Sequence, residues 1–116
     1  MSDEAIELTR RFTDAFNARD AEKIRALVSD AVQMVGPDGN KVTGFDGSRE
    51  LLEAATRTNV RLGRTGDEQV DRGEESTEIV VPLRVSGADG ERQATGRFEI
   101  AEEKISSFRV ETGEED

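Results

Sequence analysis

The chain has no cysteine, histidine, tryptophan or tyrosine, and only two prolines and three lysines in 116 residues. Without cysteine there can be no disulfide, no thiolate nucleophile and no zinc–thiolate centre. The five phenylalanines, Phe12, Phe16, Phe45, Phe98 and Phe108, are the only aromatic residues. The core must therefore be mostly aliphatic, and a large cofactor gripped between stacked rings is not expected. There is also no long apolar run. The acidic start Met1-Ser2-Asp3-Glu4 leads straight into an amphipathic pattern, so neither a signal peptide nor a transmembrane span is expected, and the expected location is cytoplasmic.

What is abundant is negative charge: 26 acids against 16 bases give a formal net charge of −10. A surface of that sign repels phosphate backbones and anionic headgroups, which argues against nucleic acid and membranes as partners. Thirteen of the bases are arginine; codon bias with a solvated acidic surface accounts for this better than adaptation to high salt. The acids Asp67, Asp71, Glu74, Glu75 and Glu78 form a run without EF-hand spacing, and a solvated strand and turn explain it better than a metal site. No phosphate-cradling or nucleophile-elbow motif is present, and no cofactor is expected.

A chain of this length makes one domain, burying roughly two thirds of the surface its unfolded form exposes. Residues 1–112 are assigned to it and 113–116 to an acidic tail. Leu8, Phe12 and Phe16 recur at helical spacing over residues 3–17, and Asp20 is placed to cap a second helix with Ile24, Leu27 and Val28 facing inward. Asp30 then reads as the exit turn. A strand over 31–35, the turn Gly36-Pro37-Asp38-Gly39-Asn40 and a partner strand over 41–44 suggest a hairpin, followed by a third helix capped by Asp46 or Ser48 and running to about Arg57. A weak strand pattern over 58–72 is bent by Gly63 and Gly66. Clear alternation follows over 77–85, where Pro82 predicts a bulge or an edge, and again through Ala94, Gly96, Phe98 and Ile100 to Phe108 and Val110. Three N-terminal helices on a curved, mostly antiparallel sheet make an α+β fold.

The phrase Phe12-Thr13-Asp14-Ala15-Phe16-Asn17-Ala18-Arg19-Asp20, the Ser29-Asp30-Ala31-Val32 and Gly44–Leu52 segments, and Gly96-Arg97-Phe98-Glu99-Ile100 before Lys104–Val110 resemble the SnoaL-like branch of the NTF2-like superfamily. The resemblance covers nearly the whole chain and implies a cone whose hollow often serves as an active site. Fold leaves the function open. In isomerases of that superfamily a base and two hydrogen-bond donors line the hollow. Carried onto this chain, those positions fall at Gly36, Phe12 and Gly96, none of which can do that chemistry. The cyclase pattern uses a histidine, which is missing, and no Asp–Arg–Asp relay can be placed inward. Asp38 and Asp30 are the remaining catalytic candidates, although both read first as turn residues and only second as pocket acids.

Phe12, Phe16, Leu27, Met34, Leu52, Val81, Phe98 and Phe108 are expected to line the hollow, as a pocket or as closed core. Val80, Arg84, Thr95, Arg97, Glu99 and Arg109 are expected on the outer sheet face, where a homodimer could form. The expectation is a non-catalytic binder of a small apolar ligand, or a homodimeric module. The alternative is an isomerase, polyketide-cyclase-like enzyme or hydrolase of the same fold using a pocket carboxylate.

Overall fold

The computed structural model of the chain describes residues 4–36, 41–88 and 90–112, the side chains of Phe45, Ser48 and Thr112 excepted. Pro37, Asp38, Gly39 and Asn40 of the expected turn, Asp89 of the later hairpin and the 113–116 tail lie outside the described residues. The elements run α1 (Glu4–Ala18), α2 (Ala21–Leu27), β1 (Val28–Val35), β2 (Lys41–Thr43), α3 (Gly44–Thr58), β3 (Arg61–Arg64), β4 (Gln69–Arg72), β5 (Thr77–Gly87), β6 (Gly90–Ala101) and β7 (Lys104–Thr112). The strands form one sheet in the order β2-β1-β7-β6-β5-β3, with β4 also paired to β5. All neighbours are antiparallel except β1 and β7, which run parallel. Alternation within strands cannot reveal that closure, because it joins segments far apart in the chain.

The core lies between the helices and one face of this sheet. Along β5, Ile79, Val81, Leu83 and Val85 are buried, while Glu78, Val80, Pro82 and Arg84 face the other way, as period-two alternation requires. From α1 come Ala5, Thr9, Phe12, Ala15 and Phe16. Phe12, Phe98 and Phe108 meet ring to ring, with centroids 5.7 Å (Phe12–Phe98), 4.6 Å (Phe12–Phe108) and 4.8 Å (Phe98–Phe108) apart. Such pairs add about 0.5–1.5 kcal/mol beyond the area they bury. Thr9 is the only polar residue among those described that is buried with its backbone, and its hydroxyl donates to the Ile6 carbonyl at 2.7 Å, so it leaves no unmet donor.

Several junctions depart from the sequence reading. The second helix stops at Leu27 rather than including Val28, which is already extended at φ −116° and ψ 158°. Val28 pairs with Ile105 of β7, so strand pairing overrides the helical pattern and Asp30 falls inside β1, not in a turn. The third helix begins at Gly44, before the expected caps, and Thr43 at its N-cap makes no side-chain capping bond. Gly44 (φ +78°) turns strand directly into helix, and Gly47 lets that first turn press on β2, where a Cβ would come within 2.8 Å of Val42.

The weak 58–72 segment divides into β3 and β4 around Gly66. Pro82 stands opposite the break. Its carbonyl accepts from Thr65 N–H at 3.0 Å, so its nitrogen also faces the interrupted edge, where no donor is missed.

The end of α1 is tied to the sheet by side chains. Asn17 mimics a strand residue: its amide donates to the Leu62 carbonyl at 2.8 Å and its oxygen accepts from Leu62 N–H at 2.9 Å. Arg19, with φ 58°, donates to the carbonyls of Phe16 (2.8 Å), Ala55 (3.3 Å) and Val60, and lies 5.4 Å from the Phe16 ring centroid. Burial, and then the neighbouring Arg61, lowers its pKa. Asp20 accepts from Lys23 N–H at 3.2 Å, capping α2 as the spacing predicts. Removing the paired amide in Asn17→Ala should cost about 1–3 kcal/mol, because a buried backbone donor and acceptor lose their partners. Asn17→Asp should cost more, because its carboxylate faces the Leu62 carbonyl. Urea unfolding checks both, and midpoints equal to wild type would remove Asn17 from this role.

Candidate functional site

The three positions that the isomerase resemblance singles out are all buried and none is ionisable. Phe12 packs in the ring cluster, Gly36 follows β1, and Gly96 lies on β6. A Cβ at Gly96 would sit 2.8 Å from Leu83 Cδ1, so Leu83 already occupies the space a larger residue would need there. Asp30 is exposed, between the Val28 and Gln33 pairings where β1 slips against β7, and it lines none of the cavities described below. Asp38 lies outside the described residues.

An apolar cleft of about 320 Å³ opens where the C-terminal half of α3 meets the β5–β6 hairpin. Phe16, Leu51, Ala54, Ala55, Val60 and Val85 form its apolar wall, and Arg57 and Arg92 also line it. Local chemistry builds this cleft. Asn59, left-handed at φ 54°, ends α3 and donates its N–H to the carbonyls of Ala55 and Thr56. The hairpin is drawn onto the helix end by Ala88 N–H, which donates to the Thr58 carbonyl at 3.1 Å. Gly87 permits that approach, because a Cβ there would lie 3.3 Å from the Thr58 oxygen and 3.4 Å from Val60 Cγ2. Volume and lining fall within the range of small-molecule sites.

A second, polar cavity of about 250 Å³ lies between α1 and the β3–β4 edge. Thr9, Thr13 and Asn17 face it at helical spacing, opposite Leu62, Val81 and Leu83. Its notable group is Glu68, whose side chain is only 3% exposed. Arg10 grips that carboxylate through Nε (2.8 Å) and Nη2 (3.1 Å), and Arg64 Nη1 reaches both oxygens at 3.3 and 3.2 Å. The Arg10 hydrogen bond outweighs desolvation and holds the Glu68 pKa down at about 2. A carboxylate held ionised by two guanidiniums is a strap for the edge strand and a poor proton acceptor. Sequence reading passed over Glu68 because Arg10 lies 58 residues away, and no local pattern signals such a pairing.

A third depression, about 600 Å³, is lined mostly by charged residues, Glu4, Glu7, Arg11, Arg72 and Glu103, with Ala5 and Leu8 between them. Among the described residues no group of acids is placed to hold a metal ion.

Of the expected lining residues, Phe16 lines the apolar cleft and Val81 the polar cavity. Phe12, Met34, Leu52, Phe98 and Phe108 are buried in the core, and Leu27 is half-buried against it. Val80, Arg84, Thr95, Arg97, Glu99 and Arg109 alternate with core residues on the uncovered face of β5, β6 and β7. Several of its charges pair within the chain: Arg97 with Glu111 at 2.8 Å and Glu78 at 3.5 Å, Arg109 with Glu111 at 3.3 Å, and Arg84 with Glu91 at 3.8 Å.

Comparison with known proteins agrees with this architecture. Residues 9–114 match the SnoaL-like domain family. Among solved structures, a candidate polyketide cyclase from Sinorhizobium meliloti superposes with a TM-score of 0.77 at 16% identity, over 90% of this chain and 94% of that one. An NTF2-like protein of unknown function from Burkholderia pseudomallei gives 0.71 at 15% identity, over 97% and 92%. A computationally designed 17-OHP binder gives 0.77 at 16% identity, over 97% and 93%. At these identities the likeness shows the NTF2-like fold. No curated protein matches the chain.

The Glu68 strap carries a pH signature. Its folded pKa of about 2 lies below the ordinary 4.5, so its stabilising contribution is complete above pH 4.5 and is lost as pH falls through 2. Glu68→Gln should therefore be less stable than wild type at neutral pH, with the gap closing between pH 4.5 and 2. Thermal unfolding across that range checks this, and a gap that stays constant to pH 2 would contradict it.

Proposed function

The chain belongs to the SnoaL-like domain family, and from that premise we propose that it is a non-catalytic binder of a small, mainly apolar molecule seated between α3 and the β5–β6 hairpin. The observation that carries this reading is the cleft itself. Its wall of Phe16, Leu51, Ala54, Ala55, Val60 and Val85 is continuous with the core, and no carboxylate stands among its described lining residues. The isomerase-like positions hold Phe12, Gly36 and Gly96, and the sheltered carboxylate of the neighbouring cavity is neutralised by arginine. The designed 17-OHP binder supports the capacity of this fold for a small ligand.

No described helix is long and apolar enough to cross a membrane. The acidic, cysteine-free composition supports a cytoplasmic setting. The uncovered outer sheet face, bearing both charge signs around Val80 and Thr95, supports pairing with a second copy of the chain by two-fold self-complementarity.

A thermal-shift panel of steroid-like and polyketide-like compounds tests the binder. A compound present at about 100 times its Kd should stabilise the wild type by roughly 2.7 kcal/mol, a shift of several degrees. Ala54→Phe, which fills the cleft from a half-buried position, should abolish the shift while leaving the fold intact by circular dichroism. No stabilisation across the panel would remove the reading. Sedimentation equilibrium tests the pairing: Thr95→Arg should convert a dimer to a monomer, and a monomeric wild type would exclude it.

A further inference from the structure

The apolar wall leaves open what the polar end of the ligand looks like, and the cleft's charges bear on that. Among the described residues, Arg49, Arg57, Arg61 and Arg92 are the arginines whose side chains have neither an ion pair nor a hydrogen bond. Two of these, Arg57 from the last turn of α3 and Arg92 from β6, line the same cleft. Bases without an acid partner are common among the described residues, Arg19, Lys23 and Lys41 included, but Arg57 and Arg92 are the two that line an apolar opening, which gives that opening a positive charge in a chain with 26 acids and 16 bases. The described lining includes no Asp or Glu to neutralise them.

The end of α3 points its carbonyls toward this region, which disfavours an anion. Three of those carbonyls are already engaged, however. Ala55 accepts from Val60 N–H at 2.8 Å, Thr56 from Asn59 at 3.2 Å and Thr58 from Ala88 at 3.1 Å. Guanidinium forks match carboxylates in planar, two-point geometry, so a pair of free arginines beside a hydrocarbon wall suits a molecule with an apolar body and a carboxylate head.

Resting on the binding reading above, we propose that the cleft takes an amphipathic carboxylate, with its hydrocarbon against Leu51, Ala54, Ala55 and Val85 and its head group between Arg57 and Arg92. The recognition step is non-covalent.

The test uses the full chain at neutral pH and two probes of equal chain length, octanoate and 1-octanol, titrated by calorimetry. Octanoate is ionised under these conditions. It should bind on the order of tenfold more tightly than octanol, the effect of charge-assisted hydrogen bonds at the head. In the double variant Arg57→Gln, Arg92→Gln that ratio should fall to near one through loss of octanoate affinity. The charge-matched control Arg49→Gln, Arg61→Gln should keep the wild-type ratio.

Equal affinities in the wild type overturn the carboxylate assignment while leaving the apolar cleft standing. A ratio that survives in the Arg57, Arg92 variant, or collapses equally in the control, also overturns it, by showing that the preference comes from elsewhere or from net charge alone. If neither probe binds, this inference falls, and the cleft reading falls with it only where the steroid-like and polyketide-like panel also gives no thermal shift. Circular dichroism and unfolding midpoints establish that each variant is folded before the ratios are compared.

Discussion

Two side chains at the end of the first helix hold the architecture together. Asn17 is hydrogen-bonded to Leu62 as though it were a neighbouring strand residue, and Arg19 joins the carbonyls of Phe16, Ala55 and Val60. Helix α1, the end of α3 and the start of β3 therefore meet at one amide and one guanidinium. The apolar cleft begins beside this junction: Phe16, Ala55 and Val60 line it and are also the residues whose carbonyls Arg19 binds. Hydrophobic burial is non-directional and cannot by itself set the angle between a helix end and a sheet edge. Directional bonds to backbone groups can, and they explain why a polar phrase stands where the amphipathic helix ends.

This bears on what could be read from the amino-acid sequence. The Asn17-Ala18-Arg19-Asp20 segment is the most recognisable part of the chain, and its role proves architectural: a strand mimic, a left-handed corner and a helix cap. Strong periodicity was legible, because β5 to β7 alternate cleanly and α1 carries its apolar stripe. The boundaries at Val28 and Gly44 were not. The first is decided by a partner distant in sequence, Ile105, and the second by local backbone geometry that hydropathy patterning does not show, the positive φ of Gly44 and the close packing of Gly47 on Val42. The site was less legible still. Of the eight residues expected to line a hollow, most fill the core, while Ala54, Arg57 and Arg92 become neighbours only when α3 and the hairpin converge. Glu68 was invisible for the same reason.

Arginine divides into two roles in this molecule. Arg10, Arg19 and Arg64 hold backbone or carboxylate partners and fasten elements together. Arg97 and Arg109 meet acids across the outer sheet face, where solvent and salt weaken each pair to about a kilocalorie or less. Part of the cationic charge is thus committed to structure, and a surplus of acids surrounds it. Against that background, uncompensated guanidiniums carry more information about ligand chemistry than the net charge does.

The split edge opposite Pro82 has a bearing on solubility. The sheet ends in β2, three residues long, on one side and in the four-residue segments β3 and β4 on the other, with Gly66 and the proline ring filling the gap. Growth of fibrils by strand addition needs a long, flat row of unsatisfied backbone groups, and neither border supplies one. The molecule can therefore carry a broad bare sheet face in a crowded solution without recruiting other chains edge to edge.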